Sequence, residues 1–397
     1  MLPLLLVIAF FVCCFGSTAL AATSDPNFGV QLSNKIIIDV RDVLSSMESG
    51  RNYTIEQAIP LKGLSGNVEY ALLTFAGKGY AIISLDSGTM VEALPDGYNP
   101  YSSIKGDPYY AGPLNYLYKD SLANLYSITE NKLITEQEIA SKMEELSQLR
   151  TMQGVRQQSG MAPAANPASY IVTYSSYIKN TMPFGNNVDG TCGSVAAGMM
   201  LTCLDAKVYG IGKVVPLSMP YGEKLHQSLI PYCEMSSGGS MPDTVAGGIN
   251  RWLTDNANNG TPKIVTAKWT FLIGQGNAET SIASNKACVV SLGNILGSPY
   301  GYGDHMVLAY GYYSNTNGYY YNAHVGWTGS GYSSAIINRA WAPEQFGLSD
   351  SFSDMTIIVR AARQGSPLGC YRSIIFPTCS RGSAPAPCSC ASLHGRE

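Results

Sequence analysis

A cysteine at the start of an apolar segment is the residue of this sequence with the clearest potential for chemistry. Cys192 follows a polar, glycine-containing loop and opens a run whose apolar residues recur at the spacing of a buried helix face. The small residues Gly190, Gly193 and Ser194 leave room for a tight turn beside it. At a helix N-terminus, unpaired N–H groups and the helix dipole favour a negative charge, so a thiol there loses its proton more easily. The sequence therefore predicts a nucleophile at Cys192; the alternative is a buried, inert cysteine.

A thiol nucleophile needs a base that takes its proton and later returns it, and histidine suits this task near neutral pH. His305 follows a glycine-rich stretch, 293–303, and begins a run with strand character that ends at Tyr313. We expect its imidazole to project at the edge of a cleft; the alternative is an ordinary residue at a strand start. His226, in a polar helical segment, and His394, in the C-terminal tail, are predicted to have no catalytic role.

The register of the hairpin that follows His305 decides which residues lie opposite its imidazole. Asn322 and His324 lie two residues apart, so both point to the same side of a strand. His324 would face His305 directly only if the hairpin centred at residues 314–315. The Asn-Gly dipeptide at 317–318 is the better turn and centres the hairpin about three residues later. The register therefore stays open.

The composition excludes several classes of function. Charged residues make up only 13% of the chain, apolar residues make up 45%, and the formal net charge is −3. This balance provides ample material for a packed core and no basic surface for nucleic acid. The cysteine spacings form no convincing zinc site, so we expect neither a metal nor a cofactor.

The first 21 residues resemble a secretory signal. An apolar run from Leu2 to Val12 precedes a small-x-small pattern at 19–21, although the usual positive charge before the run is missing. The run is short for a membrane span, and no later segment is long and apolar enough. We therefore expect a secreted protein without a membrane span. Export permits disulfides among the remaining cysteines, but their spacing does not determine the pairing.

Two domains and a polar connection are expected from the length of 397 residues. Residues 22–128 are predicted to form a small α+β unit. Residues 129–169 contain a charged helix and a stretch rich in Gln, Gly, Ala and Pro, which is typical of a linker. Residues 170–363 form the second domain, which carries the catalytic candidates. Residues 364–397 form an irregular, cysteine-rich tail.

Local patterns give more detail for the first domain and the connection. The spacing of apolar residues predicts helices at 30–50 and 114–126 and strands at 70–74, 80–84 and 90–94. Proline and glycine residues predict a loop at 100–113, and the polar composition places the linker at 153–169.

Three runs of residues resemble papain-like cysteine peptidases. They are Asp189-Gly-Thr-Cys-Gly-Ser, Asp304-His-Met-Val-Leu-Ala-Tyr-Gly, and Asn322-Ala-His-Val-Gly-Trp. Within that class the chain resembles most the bacterial secreted members of the streptopain and bacteriocin-leader-peptidase-like groups, over about residues 170–359. The resemblance implies an α+β fold, in which a helix carrying the cysteine packs on an antiparallel sheet carrying the histidine.

By this resemblance, Cys192 is the nucleophile and His305 is the general acid and base. Two other positions depart from the family pattern. Asn186 stands about six residues before the cysteine, where the family usually has the glutamine of the oxyanion hole, and Asn187 competes for that role. The family generally places Asn or Asp in the strand after the histidine, where it orients the imidazole, and in this sequence His324 or Asn322 takes that position. Both candidates stay open, and His324 is preferred over Asn322.

The first domain also has a counterpart in the family. Residues 79–88 and 109–114 are similar to the pro-segments that precede such peptidases. The resemblance implies a zymogen, in which the pro-segment is an intramolecular inhibitor until the linker is cut. The alternative is a structural or adhesive module.

The main hypothesis is a secreted cysteine peptidase that hydrolyses a peptide or protein substrate through a thioester at Cys192. The same catalytic parts can act on cell-wall peptides as an amidase, or transfer acyl groups as a transglutaminase does. The rival hypothesis is a non-catalytic secreted binding protein on a degenerate peptidase fold. The two departures from the family pattern favour that rival.

Overall fold

One long β-sheet runs through the described part of the chain in the computed structural model. The structure describes residues 29–30, 32–48, 50–158, 169–187, 190–235, 239–256, 265–271, 277–292, 305–315, 318–327, 334–341 and 344–349. Helices cover the sheet, so the fold is mixed α+β. The predicted signal and the predicted C-terminal tail lie outside the described residues.

The N-terminal part, residues 29–158, contains two helices and eight strands. In chain order they are α1 (Asn34–Met47), β1 (Ile55–Lys62), β2 (Val68–Phe75), β3 (Tyr80–Ser84), β4 (Met90–Leu94), β5 (Asp107–Tyr110), β6 (Tyr116–Lys119), β7 (Leu125–Ser127), β8 (Lys132–Leu133) and α2 (Glu136–Gln158). The first helix and the strands β2, β3 and β4 confirm the predictions made for these segments. Helix α1 begins after Ser33, whose hydroxyl accepts a hydrogen bond from the N–H of Ile36.

Two predictions for the N-terminal part are wrong. Segment 114–126, predicted as a helix, forms β6 and β7, and segment 100–113, predicted as a loop, contains β5. Tyrosine drives this outcome, because Tyr110 and Tyr116 are fully buried with ring centroids 6.3 Å apart. Aromatic residues fit a half-buried pleated surface, and their tertiary packing outweighs a weak helical spacing.

Helix α2 extends into the stretch that was predicted to be a linker. It begins with a capping box, in which Thr135 Oγ1 accepts the N–H of Glu138 and Glu138 Oε2 accepts the N–H of Thr135. It ends at Gln158, so the first residues of the predicted linker, 153–158, are helical. The rest of that linker up to residue 168 lies outside the described residues.

The C-terminal part, residues 169–349, carries the catalytic candidates. Its elements are β9 (Ser169–Ile171), α3 (Ser175–Asn180), α4 (Cys192–Leu204), a π-helical turn (Asp205–Tyr209), α5 (Glu223–Cys233), α6 (Pro242–Asn256), β10 (Thr266–Phe271), α7 (Asn277–Ala283), β11 (Cys288–Leu292), β12 (His305–Asn315), β13 (Gly318–His324), β14 (Ser334–Asn338), a short 3-10 helix (Arg339–Trp341) and β15 (Glu344–Ser349). Of the helices described, none is both long and apolar enough to cross a membrane.

The sheet has the strand order β10-β15-β11-β12-β13-β14-β4-β3-β2-β1-β5-β6-β7-β8, and β9 pairs with β12. Pairing is antiparallel except between β1 and β5. The sheet therefore continues from the C-terminal part into the N-terminal part through β14 and β4. One hydrophobic core also spans both parts, from Leu61 to Trp341. Both parts belong to one compact unit, within which no boundary is marked. The boundaries of the first and second domains therefore stay a prediction.

The register of the β12–β13 hairpin decides which residues face each other. Asn315 pairs with Gly318, and Leu308 pairs with His324. The hairpin is therefore centred between residues 316 and 317, beyond the position that would place His324 opposite His305. His305 pairs instead with Leu292 on β11.

Candidate active site

Helix α4 begins at Cys192, as the sequence predicts. All thirteen residues of α4 are buried, whereas the spacing predicted one buried face. The reason is that its remaining positions are also small or apolar, and a helix that is apolar all round is buried all round. It packs against β11 and β12 on the sheet and against α5 and α6. Cys192 has 9% of its surface exposed, at the end of the helix where the positive pole of the dipole lies.

A carboxylate from a distant segment caps the first turn of α4. The N–H of Ser194 donates to Glu234 Oε1 at 3.0 Å, whereas the N-cap residue Thr191 makes no side-chain cap. Glu234 Oε2 is buried, and no hydrogen-bond partner for it lies among the described residues. The carboxylate satisfies one of the unpaired N–H groups of the helix start and places a negative charge two residues from Cys192.

A glycine next to Cys192 allows close packing of the helix start. A Cβ atom at Gly193 would lie 2.0 Å from Ser240 Oγ and 2.8 Å from Val245 Cγ2. No side chain fits there, so the glycine lets the segment before α6 approach the first turn of α4. The other glycine of the motif, Gly190, has a φ of +78°, a conformation that favours glycine.

His305 is the first residue of β12, as predicted, and 6% of its surface is exposed. Its Nε2 lies 2.7 Å from the main-chain oxygen of Val325, and its ring stacks on Trp327 with centroids 4.7 Å apart. A carbonyl oxygen only accepts hydrogen bonds, so Nε2 carries the proton and Nδ1 carries the lone pair. Burial lowers the pKa of His305 from its ordinary 6.5 to about 4, although the bond to Val325 opposes the fall. His305 is thus a neutral imidazole near neutral pH.

The two side chains predicted to orient His305 have other partners. The amide of Asn322 donates to the main-chain oxygen of Met47 at 3.2 Å. His324 Nδ1 accepts the N–H of Gly326 at 3.2 Å, and burial lowers the pKa of His324 to about 4. Among the described residues, the orienting contact to His305 comes from a main-chain carbonyl, which has no side-chain signature in a sequence.

Gly326 brings the segment that contacts His305 onto the helix that Cys192 begins. Its φ is +75°, and a Cβ atom there would lie 2.9 Å from Val195 Cγ1. Val195 is three residues after Cys192, one helical turn along α4. The segment that holds and covers His305 therefore packs against the first turns of the helix that Cys192 begins.

The candidate oxyanion residue Asn186 lies on an exposed loop that α5 anchors. Its main-chain N–H donates to Glu223 Oε2 at 2.9 Å, a bond that is the main cause of the lowered pKa of Glu223. Asn187, the competing candidate, is half-buried beside it. Asp189 and Asp304, which belong to the motifs, lie outside the described residues.

The same loop rests on two buried histidines. Gly185 packs so closely on His226 that a Cβ atom would lie 2.3 Å from the histidine Cβ. The ring of Phe184 meets His324 edge-on, with centroids 4.6 Å apart. His226 is thus fully buried, not part of a polar surface, and burial lowers its pKa. These two histidines support the loop, a role that the sequence did not indicate.

The other described cysteines lack the setting of Cys192. Cys203, Cys233 and Cys288 are fully buried thiols, and none of these four cysteines is bonded to another by a disulfide. Burial raises the pKa of all three, that of Cys233 to about 12. Within the described ranges, no group of three or more His, Cys, Asp or Glu side chains is placed to hold a metal ion.

Comparison with known proteins gives little further information. No family model matches the sequence, and no curated protein matches it. Among solved structures, a digestive procathepsin L 3 from the larval midgut of Tenebrio molitor matches with 14% identity and a TM-score of 0.27. The match covers 56% of this chain and 96% of that chain. A similarity of this size is too weak to carry a conclusion about the fold or the activity of this chain.

Proposed function

We propose that this protein is a papain-like cysteine peptidase that hydrolyses peptide bonds through a thioester at Cys192. One observation carries the proposal. The segment Val325–Trp327 holds the imidazole of His305 and packs, through Gly326, on the first turns of the helix that Cys192 begins. A thiol at a helix N-terminus and a neutral, oriented imidazole are the two groups that acyl transfer requires.

In the proposed reaction, Nδ1 of His305 takes the thiol proton and Cys192 Sγ attacks the substrate carbonyl carbon. The protonated imidazole then gives its proton to the leaving amine, and a thioester remains on Cys192. His305 next takes a proton from water, whose oxygen attacks the thioester. Collapse of that intermediate releases the carboxylic acid and restores the thiol.

The negative charge that develops on the carbonyl oxygen needs donors about 3 Å away. We assign this role to the main-chain N–H of Cys192 and the side-chain amide of Asn186, with Asn187 as the competing residue. Glu234 supports the assignment because it holds the first turn of α4 through Ser194. Glu223 supports it because it anchors the main chain of Asn186.

We assign to the main-chain oxygen of Val325 the orienting role that was predicted for His324 or Asn322. It holds the proton of His305 on Nε2 and leaves Nδ1 as the base. Trp327 covers one face of the imidazole and shields this bond from water. His324 and Asn322 then act on the surrounding segments and not on the imidazole itself.

Secretion and the closer likeness to the streptopain group belong to the same proposal. They are supported by the sequence of residues 1–21 and by the family-like motifs. The substrate class is peptide or protein. A cell-wall amidase or a transglutaminase-like enzyme would use the same side chains, and a panel of peptide, muropeptide and amine-acceptor substrates separates the three.

A second candidate is a non-catalytic binding protein on a degenerate peptidase fold. The observation that favours it is the deep burial of His305 together with a main-chain partner in place of a carboxamide. Its distinguishing consequence is an unreactive Cys192.

The decisive variants are Cys192→Ala and Cys203→Ala, both on α4. We expect the first to lose peptide hydrolysis by about 10³-fold or more and the second to retain it, because Cys203 is fully buried near the other end of α4. Mass spectrometry after iodoacetamide should show rapid alkylation confined to Cys192. Equal activity of both variants, or no alkylation of Cys192 in the folded protein, would overturn the peptidase assignment.

A further inference from the structure

The N-terminal part meets the C-terminal part as two halves of one core. Ala93 and Glu92 on β4 pair with Ile336 and Ile337 on β14, and all four residues are fully buried. Trp341 lies over Gly112 of the N-terminal part, where a Cβ atom would be 3.1 Å from the indole. Strand pairing inside a shared core is typical of a domain interior and not of a detachable surface contact.

Two buried amides join the parts with hydrogen bonds. Asn338 Nδ2 donates to the main-chain oxygen of Met90 at 2.9 Å, and Asn322 Nδ2 donates to that of Met47 at 3.2 Å. Both asparagines are at least nine-tenths buried. Departure of the N-terminal part would remove the partners of both amides and expose the apolar edge of β14.

An ion pair joins α3 to the end of α1. Lys179 Nζ lies 2.6 Å and 2.7 Å from the two carboxylate oxygens of Glu48, the C-cap residue of α1. The same ammonium group lies 5.9 Å from the ring centroid of Tyr310 on β12. This contact is partly exposed, so it adds little to the stability of the protein. Its role is to position the end of α1 relative to α3 and β12.

The N-terminal part also contacts β13, the strand that precedes the main-chain oxygen of Val325. Asn322 lies on β13, three residues before Val325, whose oxygen holds His305. Tyr320, also on β13, packs in the core that α1 and β1–β4 form. The N-terminal part therefore contacts β13 through Tyr320 and Asn322, just before the residues that contact His305.

We propose that the N-terminal part is a permanent structural half of this protein. It stays bound after the chain is cut between residues 158 and 169, and it holds β13 in the position that presents Val325 to His305. The family resemblance implies a zymogen whose inhibitory pro-segment is released after cleavage. In this proposal the N-terminal part is retained and the zymogen expectation is dropped. Retention itself does not depend on the peptidase assignment, whereas the effect on the site rests on it.

The test uses the full-length chain with the recognition sequence of a specific protease inserted between residues 159 and 168. After complete cleavage, native size-exclusion chromatography should show both fragments in one peak at the position of the uncut protein. Elution of the two fragments as separate species would overturn the proposal.

A double variant, Asn322→Leu with Asn338→Leu, tests whether the buried amides hold the fragments together. We expect dissociation of the cut protein to become about tenfold stronger or more, because two main-chain carbonyls lose their donors. Asn250→Leu is the matched control, since Asn250 bonds the main chain of Ala267 within the C-terminal part. Similar dissociation in the control and the double variant would show that the amides only stabilise the fold, contrary to the proposal.

Alkylation of Cys192 by iodoacetamide gives the second measurement. The cut complex should react at the rate of the uncut protein, and the rate should fall at least about tenfold when urea strips off the N-terminal fragment and is then removed. A stripped C-terminal fragment that regains the full rate would contradict the effect on the site. If Cys192 is unreactive in every form, the peptidase assignment fails, while the chromatography still decides on retention.

Discussion

The imidazole of His305 donates from Nε2 to the main-chain oxygen of Val325 at 2.7 Å. Val325 precedes a glycine with a φ of +75°, and that glycine packs on the helix that Cys192 begins. A single main-chain turn thus orients the imidazole of His305 and ties it to the helix that Cys192 begins. This relationship gives the site its sharpest consequences for mutation.

Gly326→Ala should damage the site more than the fold. The new Cβ meets Val195 and strains a positive φ, so the carbonyl of Val325 shifts away from His305. We expect kcat/KM to fall by about 10²-fold, as is typical of a displacement of catalytic groups by about 1 Å. Gly77→Ala is the control, because Gly77 has a φ of +85° with nothing within 4 Å. That variant should cost about 1 kcal/mol of stability and leave activity unchanged. An equal loss of activity in both variants would contradict the role of this turn.

Glu234→Gln should make Cys192 more reactive. Glutamine keeps an acceptor for the N–H of Ser194 but removes the negative charge beside the helix N-terminus. The midpoint of the pH profile for alkylation of Cys192 should move down by about half a pH unit, a shift equivalent to the usual 0.3–1 kcal/mol of a charge at a helix end. Glu56→Gln, at an exposed site in β1, should leave the profile unmoved. A profile that is unchanged in Glu234→Gln would mean that this carboxylate has no electrostatic effect on the thiol.

Acid should destabilise the protein through its buried histidines. Burial lowers the pKa of His305 and of His324 from 6.5 to about 4, so the folded state resists protonation that the unfolded chain accepts. Their stabilising contribution is complete above about pH 6.5 and is lost as the pH falls through about 4. Each contributes at most about 3 kcal/mol to this loss. Urea unfolding at pH 7 and pH 4.5 measures it. His324→Asn, which keeps an acceptor for Gly326, should show a smaller loss, and an unchanged pH dependence in this variant would count against the assignment.

The buried carboxyl of Glu92 should make the protein less stable at alkaline pH. It is fully buried where β4 meets β14, and burial raises its pKa from 4.5 to about 8, against the hydrogen bond it accepts from the N–H of Leu114. The contribution of Glu92 is complete below about pH 4.5 and is lost as the pH rises through about 8. Glu92→Gln should therefore raise the free energy of unfolding at pH 9 by a few kcal/mol relative to its effect at pH 5. The exposed variant Glu56→Gln should show no such difference, and the same absence in Glu92→Gln would contradict a buried neutral carboxyl.

Local patterns predicted the elements that carry the two candidate catalytic residues. The apolar spacing after Cys192 predicted a helix that begins at the cysteine, and α4 does so. The run after His305 predicted a strand, and β12 begins at the histidine. Both succeed because helix and strand periodicity is a property of neighbouring residues.

Contacts between distant segments were beyond the sequence. Val325 acts through a carbonyl that every residue possesses, and Glu234 reaches Ser194 from forty residues away. The preference for His324 rested on a hairpin register that turn chemistry alone does not determine. The burial of His226 depends on the packing of Gly185 against it, which no local pattern records.

In the proposed mechanism, His305 activates Cys192 by taking its proton. This activation is tested by comparing the rate of iodoacetamide alkylation of Cys192 at about pH 6 in the wild type and in His305→Gln, measured by mass spectrometry with urea unfolding as the check of folding. We expect the variant to remain folded and its alkylation to slow by at least about tenfold, because the thiol loses its base. A folded His305→Gln protein that is alkylated at the wild-type rate would contradict it.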